Sequence, residues 1–120
     1  MKKIVSIIVP GFNEEKNIGR VIKDCLKLRK YFPVEIIAVE SGSRDKTAQV
    51  AEKAGAKRVL SFPDKRGKGA DFWVAGIVST GDYIVQIDAD YQFQPYEIPL
   101  FVKELDKGAD VVIGTRFAGG

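Results

Sequence analysis

The sequence contains no histidine and only one cysteine, Cys25, among its 120 residues. A zinc site built from histidine and cysteine is therefore excluded, as is an internal disulfide framework, which needs at least two cysteines. No stretch approaches the roughly 18 consecutive apolar residues of a membrane-spanning helix, and the first residues lead into a β-type run too short for a signal peptide. We expect a cytoplasmic protein in which any metal is held by oxygen ligands.

Charge of one sign is not concentrated in any part of the chain. The 19 Lys and Arg residues exceed the 16 Asp and Glu residues by three, and both kinds are spread along the sequence. This distribution argues only weakly for a polyanionic partner, and a phosphorylated small molecule suits it as well as a nucleic acid would. With 45% hydrophobic and 29% charged residues, the chain is typical of one soluble globular domain.

Short apolar runs alternate with helical patterns along the chain. Parallel strands need crossover connections, which helices usually supply, so this order predicts a mostly parallel, doubly wound, Rossmann-like α/β sheet. The first run is apolar at nearly every position, which predicts a strand buried on both faces. The predicted strands are residues 3–9, 34–39, 57–62, 83–87 and 110–113, and the predicted helices are residues 13–31, 47–54, 70–80 and 98–105.

Two carboxylates directly follow the fourth predicted strand. Ligands of doubly wound sheets bind beyond the carboxyl ends of the strands, so Asp88 and Asp90 lie where one hard cation, Mg2+ or Mn2+, would be bound with phosphate oxygens. Alone, this pair is weak support for a metal site, because short acidic pairs after strands also serve as turn or cap residues. Loops at the other strand ends decide between these alternatives.

The loops after the first two strands have the chemistry of a nucleoside pocket. Residues 10–14 offer backbone groups, an aromatic ring and a carboxylate, although a strand exit followed by a helix cap at Asn13 would explain them too. After the second strand, Glu40 is placed to accept hydrogen bonds from a base or ribose, and small residues then permit close backbone approach. The structural alternative is that Ser43 or Asp45 caps the second helix.

A basic turn, residues 66–69, precedes the third helix. Its positive side chains and the exposed amides of a helix N-terminus suit a diphosphate, although a solvated basic turn is the plain alternative. The sequence has no G-x-x-x-x-G-K-[ST] motif and no G-x-G-x-x-G after the first strand, which excludes Walker-type phosphate binding and argues against a dinucleotide cofactor. A metal and scattered cations would then hold the phosphates.

In their order along the chain, these loops resemble the family 2 glycosyltransferases of the GT-A fold. The motifs that carry the resemblance are Val-Pro-Gly-Phe-Asn-Glu-Glu, Val-Glu-Ser-Gly-Ser-Arg-Asp-Lys-Thr, Gly-Lys-Gly-Ala, Thr-Gly-Asp and Ile-Asp-Ala-Asp. The continuation to Phe117 is most similar to the dolichol- or polyprenyl-phosphate mannosyltransferase branch, and it is also similar to glucosyl-phosphoglycerate synthases. The resemblance extends over residues 1–120.

The resemblance implies a role for residues in each of these loops. Asp88 and Asp90 would bind the metal, Mg2+ or Mn2+, and Gln92 would complete the metal shell or touch the sugar phosphate. Arg116 and, as a weaker candidate, Lys68 would neutralise the diphosphate. The expected nucleoside contacts are Pro10, Phe12 and Glu14 lining the pocket, the backbone of Ala38 near the base, Glu40 at the base or ribose, and Ala89 beside the nucleotide.

The activity that the resemblance implies is metal-dependent transfer of a hexose from a nucleoside diphosphate sugar, of the GDP-mannose or UDP-glucose type, to an acceptor such as a polyprenyl phosphate. Glu40 and Ser41 stand where the family usually has Asp, which would alter nucleotide preference. Because family domains continue well past the fifth strand, we expect residues 1–120 to be a donor-binding region that is incomplete at its C-terminus. A non-catalytic nucleotide-sugar-binding fragment and a sugar nucleotidyltransferase are the alternatives.

The remaining notable residues have structural explanations. Cys25 and Trp73 have apolar neighbours on predicted helices, and we expect both to pack in the core. A basic cluster near the end of the first helix is expected to be a solvated face, with contact to the cytoplasmic face of an anionic membrane as the alternative. This cluster consists of Lys23, Lys27, Arg29 and Lys30.

Overall fold

The structure is a computed structural model that describes residues 3–65, 67–89 and 94–108. Four parallel strands form one sheet in the order β3-β2-β1-β4, and helices alternate with them along the chain. The strands are β1 (Val5–Gly11), β2 (Val34–Ser41), β3 (Arg58–Phe62) and β4 (Tyr83–Gln86), and the helices are α1 (Ile18–Leu26), α2 (Thr47–Ala54), α3 (Lys68–Val78) and α4 (Ile98–Asp106). The predicted fifth strand, residues 110–113, lies outside the described residues.

The central strand β1 is buried on both faces, as predicted. Val5, Ile7 and Val9 point into the larger core, which is shared with α1, α2 and α4, whereas Ile8 points into a smaller core beneath α3. Successive side chains of a strand point to opposite faces, so a strand covered on both sides is apolar at consecutive positions. Among the described residues, no helix is long and apolar enough to cross a membrane.

Helix α1 begins later than the predicted cap at Asn13. Its buried face contains Ile18, Val21 and Cys25, as the sequence spacing predicts. Asn13 instead has a positive φ of 54°, and the helix starts at Ile18 after a turn in which the amide of Ile18 donates to the carbonyl of Glu14 at 2.8 Å. The chain between β1 and α1 is therefore a structured loop. A short 3-10 turn, Lys27–Lys30, continues α1 to the predicted end near Tyr31.

Trp73 does not pack in the core, and the prediction that it does is wrong. Its side chain is 71% exposed, whereas Cys25 is fully buried, as expected. Helix α3 packs on the sheet through Asp71, Ala75 and Val78, which recur at helical spacing on one face. Trp73 lies on another face of the helix. Because α3 is apolar nearly all round, its sequence pattern did not reveal which face is buried.

The buried carboxylate of Glu35 links several elements at the end of the sheet where the strands begin. Glu35 on β2 is 3% exposed, and its Oε1 accepts hydrogen bonds from Ser6 Oγ at 2.7 Å and from the amide of Thr80 at 2.8 Å. Its Oε2 accepts from the hydroxyl of Thr80 at 2.8 Å and lies 3.6 Å from Lys57 Nζ. Burial of a charge is tolerated here because each oxygen has donors.

The Thr-Gly-Asp motif, residues 80–82, lies at the same end of the sheet. The amide of Gly81 donates to Ser6 Oγ at 2.9 Å, and a Cβ on this glycine would collide with that hydroxyl and lie 2.7 Å from the Ser6 nitrogen. Asp82 Oδ2 accepts a hydrogen bond from the amide of Ile4 at 2.8 Å. The motif thus joins the entry of β4 to β1, at the end of the sheet opposite the carboxyl ends of the strands.

The Glu35 network predicts a pH-dependent contribution to stability. Burial tends to raise the pKa of this carboxyl, but hydrogen bonds from Thr80 and Ser6, with a smaller effect of a nearby ammonium group, outweigh it and lower the pKa below 4.5. A depressed folded-state pKa stabilises the fold above the unfolded-state pKa and loses that effect as the pH falls through the folded-state value. Glu35→Gln should therefore cost about 1–3 kcal/mol at pH 7, measured by urea unfolding.

This cost should shrink as the pH falls from about 4.5 through the lowered folded-state pKa, because the wild type loses this stabilisation as its carboxylate binds a proton. Glu104→Gln is the matched control. Glu104 forms an exposed ion pair with Lys107 at 3.5 Å, so its loss should change stability by less than about 1 kcal/mol. A Glu35→Gln cost that stays constant from pH 7 to pH 3 would contradict this account.

Candidate functional site

A cavity of about 160 Å3 opens at the carboxyl ends of the strands. In the strand order β1 lies between β2 and β4. From β1 the chain first crosses to β2 and β3 on one side, and it later crosses back over to form β4 on the other side of β1. This is the point where the winding direction reverses, and doubly wound sheets bind their ligands there. The residues that line the cavity are Pro10, Gly11, Phe12, Glu14, Ser41, Lys65, Gly67, Asp71, Asp88 and Ala89.

Asp88 reaches this cavity because of the register between β1 and β4. Ile8 pairs with Gln86, and the amide of Ile87 donates to the carbonyl of Ile8 at 2.9 Å, so Asp88 lies level with Pro10. Ala89, the next residue, is 1% exposed and packs in the larger core. The sheet, rather than a free loop, thus places Asp88 in the cavity wall.

The described part of the cavity offers oxygen donors that suit a hard cation. The carboxylate of Asp88 lines it, and Mg2+ and Mn2+ prefer such ligands. Within residues 3–65, 67–89 and 94–108, no three acidic, cysteine or histidine side chains are grouped closely enough to form a complete metal site. The other two predicted ligands, Asp90 and Gln92, lie outside these ranges.

The loop between β1 and α1 is fixed by hydrogen bonds to the loop after β2. The amide of Asn13 donates to Ser43 Oγ at 3.0 Å, and Asn13 Oδ1 accepts from the amide of Arg44 at 2.8 Å. The amide of Glu14 donates to Thr47 Oγ1 at 2.9 Å. These bonds preorganise the cavity wall that contains Phe12, since the loop cannot move without breaking them.

The N-cap of α2 is Lys46, which makes no side-chain cap hydrogen bond, so neither Ser43 nor Asp45 is the helix cap; Asp45 instead binds the first residue of α2 from one position before the cap. Its carboxylate accepts hydrogen bonds from the amide of Thr47 at 3.0 Å, from the hydroxyl of Thr47, and from the amide of Glu15 at 3.2 Å. Desolvation tends to raise the pKa of Asp45, but these donors outweigh it and lower the pKa. Ser43 has another role, because its amide donates to Glu40 Oε1 at 3.0 Å.

Gly42 allows the loop after β3 to approach the loop after β2. Its φ is +72°, and a Cβ at this position would lie 2.7 Å from the backbone nitrogen of Lys65. The small residue that we expected to admit a ligand therefore admits a neighbouring loop. This approach brings Lys65 Nζ to 4.4 Å from the ring centroid of Phe12, a cation–π contact. Both residues also line a second cavity of about 540 Å3.

A Ser–Asp pair in the cavity wall was missed by the sequence analysis. Ser41 Oγ, at the end of β2, donates a hydrogen bond of 2.7 Å to Asp71 Oδ1, in the first turns of α3. Ser41 is 2% and Asp71 is 6% exposed. An acidic residue near a helix N-terminus is ordinarily explained by the helix dipole, so only the packing of α3 on the sheet reveals that this carboxylate faces a cavity.

The structure brings together five of the predicted site residues and separates two others from them. The five that line the cavity are Pro10, Phe12, Glu14, Asp88 and Ala89. Ala38 is buried in the middle of β2, and neither it nor Glu40 is among the described residues that line the cavity. Lys68 is the first residue of α3, and its side chain is outside the described part of the structure. Asp90, Gln92 and Arg116 lie outside the described residues.

The profile of the family described as "Glycosyl transferase family 2" matches residues 6–120 of the chain. The chain belongs to glycosyl transferase family 2. Its relatives include an uncharacterized protein of Methanocaldococcus jannaschii, 37% identical over 91% of this chain and 50% of the relative. Another is the undecaprenyl-phosphate 4-deoxy-4-formamido-L-arabinose transferase of Pseudomonas aeruginosa, 34% identical over 94% of this chain and 35% of the relative.

Solved structures of family 2 relatives share the fold described above, and the prediction of a GT-A-type α/β sheet is confirmed. The glucosyl-3-phosphoglycerate synthase of Mycobacterium tuberculosis, in complex with Mn2+, UDP and phosphoglyceric acid, is 32% identical with a TM-score of 0.76. The alignment covers 91% of this chain and 41% of that one. The same enzyme with Mg2+ and UDP gives a TM-score of 0.73. The chain therefore spans half or less of the length of these relatives.

The Asn13 loop contacts predict a graded loss of stability. Asn13→Ala removes the hydrogen bond that the side chain accepts from the amide of Arg44, keeps the backbone bond to Ser43, and places a residue with a Cβ but no side-chain amide at φ 54°. Asn13→Gly removes the same side-chain bond but accepts the positive φ without strain. We expect the alanine variant to be less stable than the glycine variant by about 1 kcal/mol in urea unfolding. Equal stability of the two, or a more stable alanine variant, would contradict the backbone description.

Proposed function

We propose that this chain forms the donor-binding part of a metal-dependent glycosyltransferase, which transfers a hexose from a nucleoside diphosphate sugar to an acceptor. The observation that carries the proposal is the cavity at the reversal point of the sheet, which is lined by Asp88 after β4, Phe12 after β1 and Ser41 at the end of β2. Family membership supports the same activity. The binding of UDP with Mn2+ or Mg2+ by the mycobacterial synthase provides a precedent for such a ligand pair.

The dimensions of the sheet suit a nucleoside diphosphate lying across it. Neighbouring strands are about 4.8 Å apart, so the ends of β2 and β4, which flank β1, are about 10 Å apart. A nucleoside diphosphate covers a comparable distance between its base and its phosphates. In this proposal the diphosphate lies at the β4 end beside Asp88, and the nucleoside extends past β1 toward β2.

Asp88 would hold the metal together with Asp90 and Gln92, and Mg2+ or Mn2+ would fit such an oxygen donor set. When bound, the ion would supply Lewis-acid stabilisation of the negative charge that develops on the departing nucleoside diphosphate. Lys68 and Arg116 would add positive charge near the phosphates. Phe12 would offer its ring to the nucleoside, and Glu14 would place a carboxylate beside it.

The acceptor is proposed to be a lipid phosphate such as a polyprenyl phosphate. The names of the Pseudomonas relatives, undecaprenyl-phosphate sugar transferases, support this choice. The end of α1 adds a second support, because Lys30 Nζ lies 5.2 Å from the ring centroid of Tyr31, which is 51% exposed. Exposed aromatic and cationic side chains are typical of surfaces that contact an anionic membrane. Such contact would place the protein at the cytoplasmic face of the membrane.

Calorimetry with UDP and GDP, with and without Mn2+, tests donor binding. Loss of a residue that only hydrogen-bonds to a metal ligand lowers metal affinity by about 10–100-fold. Loss of the direct ligand in Asp88→Asn should therefore weaken metal-dependent nucleotide binding by about 100-fold or more. The control is Asp106→Asn, because Asp106, at the end of α4, accepts a hydrogen bond from Tyr83 of β4 and does not line the cavity. This variant should bind as the wild type does.

Two results would contradict the proposal. Nucleotide binding that is independent of Mn2+, or is unchanged in Asp88→Asn, would rule out the metal-assisted donor site. Release of pyrophosphate from a nucleoside triphosphate and a sugar phosphate would instead favour a sugar nucleotidyltransferase. A radiolabelled hexose-transfer assay with polyprenyl phosphate then distinguishes a transferase from a domain that binds the donor without transferring it.

A further inference from the structure

We infer that Ser41 and Asp71 select the base of the nucleotide and that the preferred base is guanine. This inference rests on the proposed function, because it assumes that the cavity holds a nucleoside diphosphate. It concerns a pair of side chains that the metal and the phosphates do not require. The two residues come from different elements, the end of β2 and the first turns of α3, and meet in the cavity wall.

The hydrogen bond within the pair fixes the direction of the Ser41 hydroxyl. The single hydrogen of this hydroxyl points to Asp71 Oδ1, which lies 2.7 Å from Ser41 Oγ. Ser41 Oγ therefore presents only lone pairs to the cavity. A carboxylate is also an acceptor, with about four lone-pair sites on its two oxygens, of which the serine occupies one. This part of the wall therefore offers acceptors alone.

Burial makes this chemistry selective. Ser41 is 2% and Asp71 is 6% exposed, so bulk water compensates poorly when a ligand places the wrong group against them. A site built to hydrogen-bond a ligand group rejects analogues that leave its buried polar atoms unpaired. A carbonyl oxygen facing this wall would lose its own hydration and be repelled by the carboxylate.

Among the common bases, guanine matches a wall of acceptors best. Its N1–H and N2 amino groups are adjacent donors on one edge. Uracil instead has one N–H between two carbonyl oxygens, and adenine and cytosine each have an amino group next to an acceptor nitrogen. Asp71 would accept from both guanine donors, with Ser41 Oγ beside them as a further acceptor.

The position of the pair favours the base over the ribose as its partner. Ser41 lies at the end of β2, whereas Asp88 lies beyond β4 on the other side of β1. The ribose hydroxyls of a nucleoside diphosphate lie closer to the phosphates than the far edge of the base does. They would be near the end of β1, where Glu14 supplies a carboxylate to the same cavity.

Calorimetry of the purified wild-type protein with Mn2+ and GDP, IDP, UDP, ADP, CDP or 2′-deoxy-GDP tests the inference. We expect GDP to bind at least about tenfold more tightly than UDP, ADP or CDP. IDP lacks only the N2 amino group, so it should bind about tenfold more weakly than GDP, since a hydrogen bond to a charged group is worth roughly that factor. This comparison requires no variant and therefore does not depend on how well one folds.

Asp71→Ala separates a direct contact with the base from a merely structural role. If Asp71 accepts from the N2 amino group, GDP and IDP should bind this variant with equal affinity, whereas a general loosening of the cavity would weaken both and preserve their ratio. Asp71→Asn keeps one acceptor oxygen and should retain part of the GDP preference. A GDP-to-IDP ratio unchanged in Asp71→Ala would overturn the inference.

Other outcomes distinguish this inference from the proposed function. If UDP binds as tightly as GDP, or more tightly, the guanine assignment is wrong while the donor site stands. If GDP and IDP bind alike but 2′-deoxy-GDP binds weakly, the pair holds the ribose and the assignment to the base is overturned. If no nucleoside diphosphate binds in the presence of Mn2+, the proposed function itself fails, and the inference fails with it.

Discussion

The burial of β1 on both faces is the constraint on which the rest of the molecule depends. Because apolar side chains fill both sides of this strand, polar groups cannot lie along its length and are confined to its two ends. One end holds the Glu35 network, which is closed by its own hydrogen bonds. The other end carries carboxylates around a cavity. The two groups of polar side chains are thereby separated by the length of the strand.

The site is built from four separate loops, yet most of its geometry comes from regular structure. Strand register sets the level of Asp88, and hydrogen bonds between the loops after β1 and β2 hold the wall that contains Phe12. The closeness of the loops after β2 and β3 depends on Gly42. Preorganisation of this kind lowers the ordering cost of binding, because hydrogen bonds within the protein already hold the wall in place.

Much of this could be predicted from the sequence, because the decisive signals were local. The apolar run of β1, the spacing of Ile18 and Val21, and the position of Asp88 after a strand each follow from neighbouring residues. Trp73 could not be placed, because α3 is apolar nearly all round and only its packing on the sheet selects the buried face. Asp71 escaped notice for the related reason that its partner, Ser41, is 30 residues away.

Helix α3 is attached to β2 at two points, and this double attachment limits how the sequence can change. Asp71 near its beginning binds Ser41, and Thr80 just beyond its end binds Glu35. The helix cannot slide along the strand, because any shift would stretch one of the two attachments. A single-residue insertion or deletion within α3 after Asp71 would rotate the two attachments relative to each other by about 100°. The length of α3 is therefore fixed as firmly as its composition, and length variation in this part of the protein belongs in the loops.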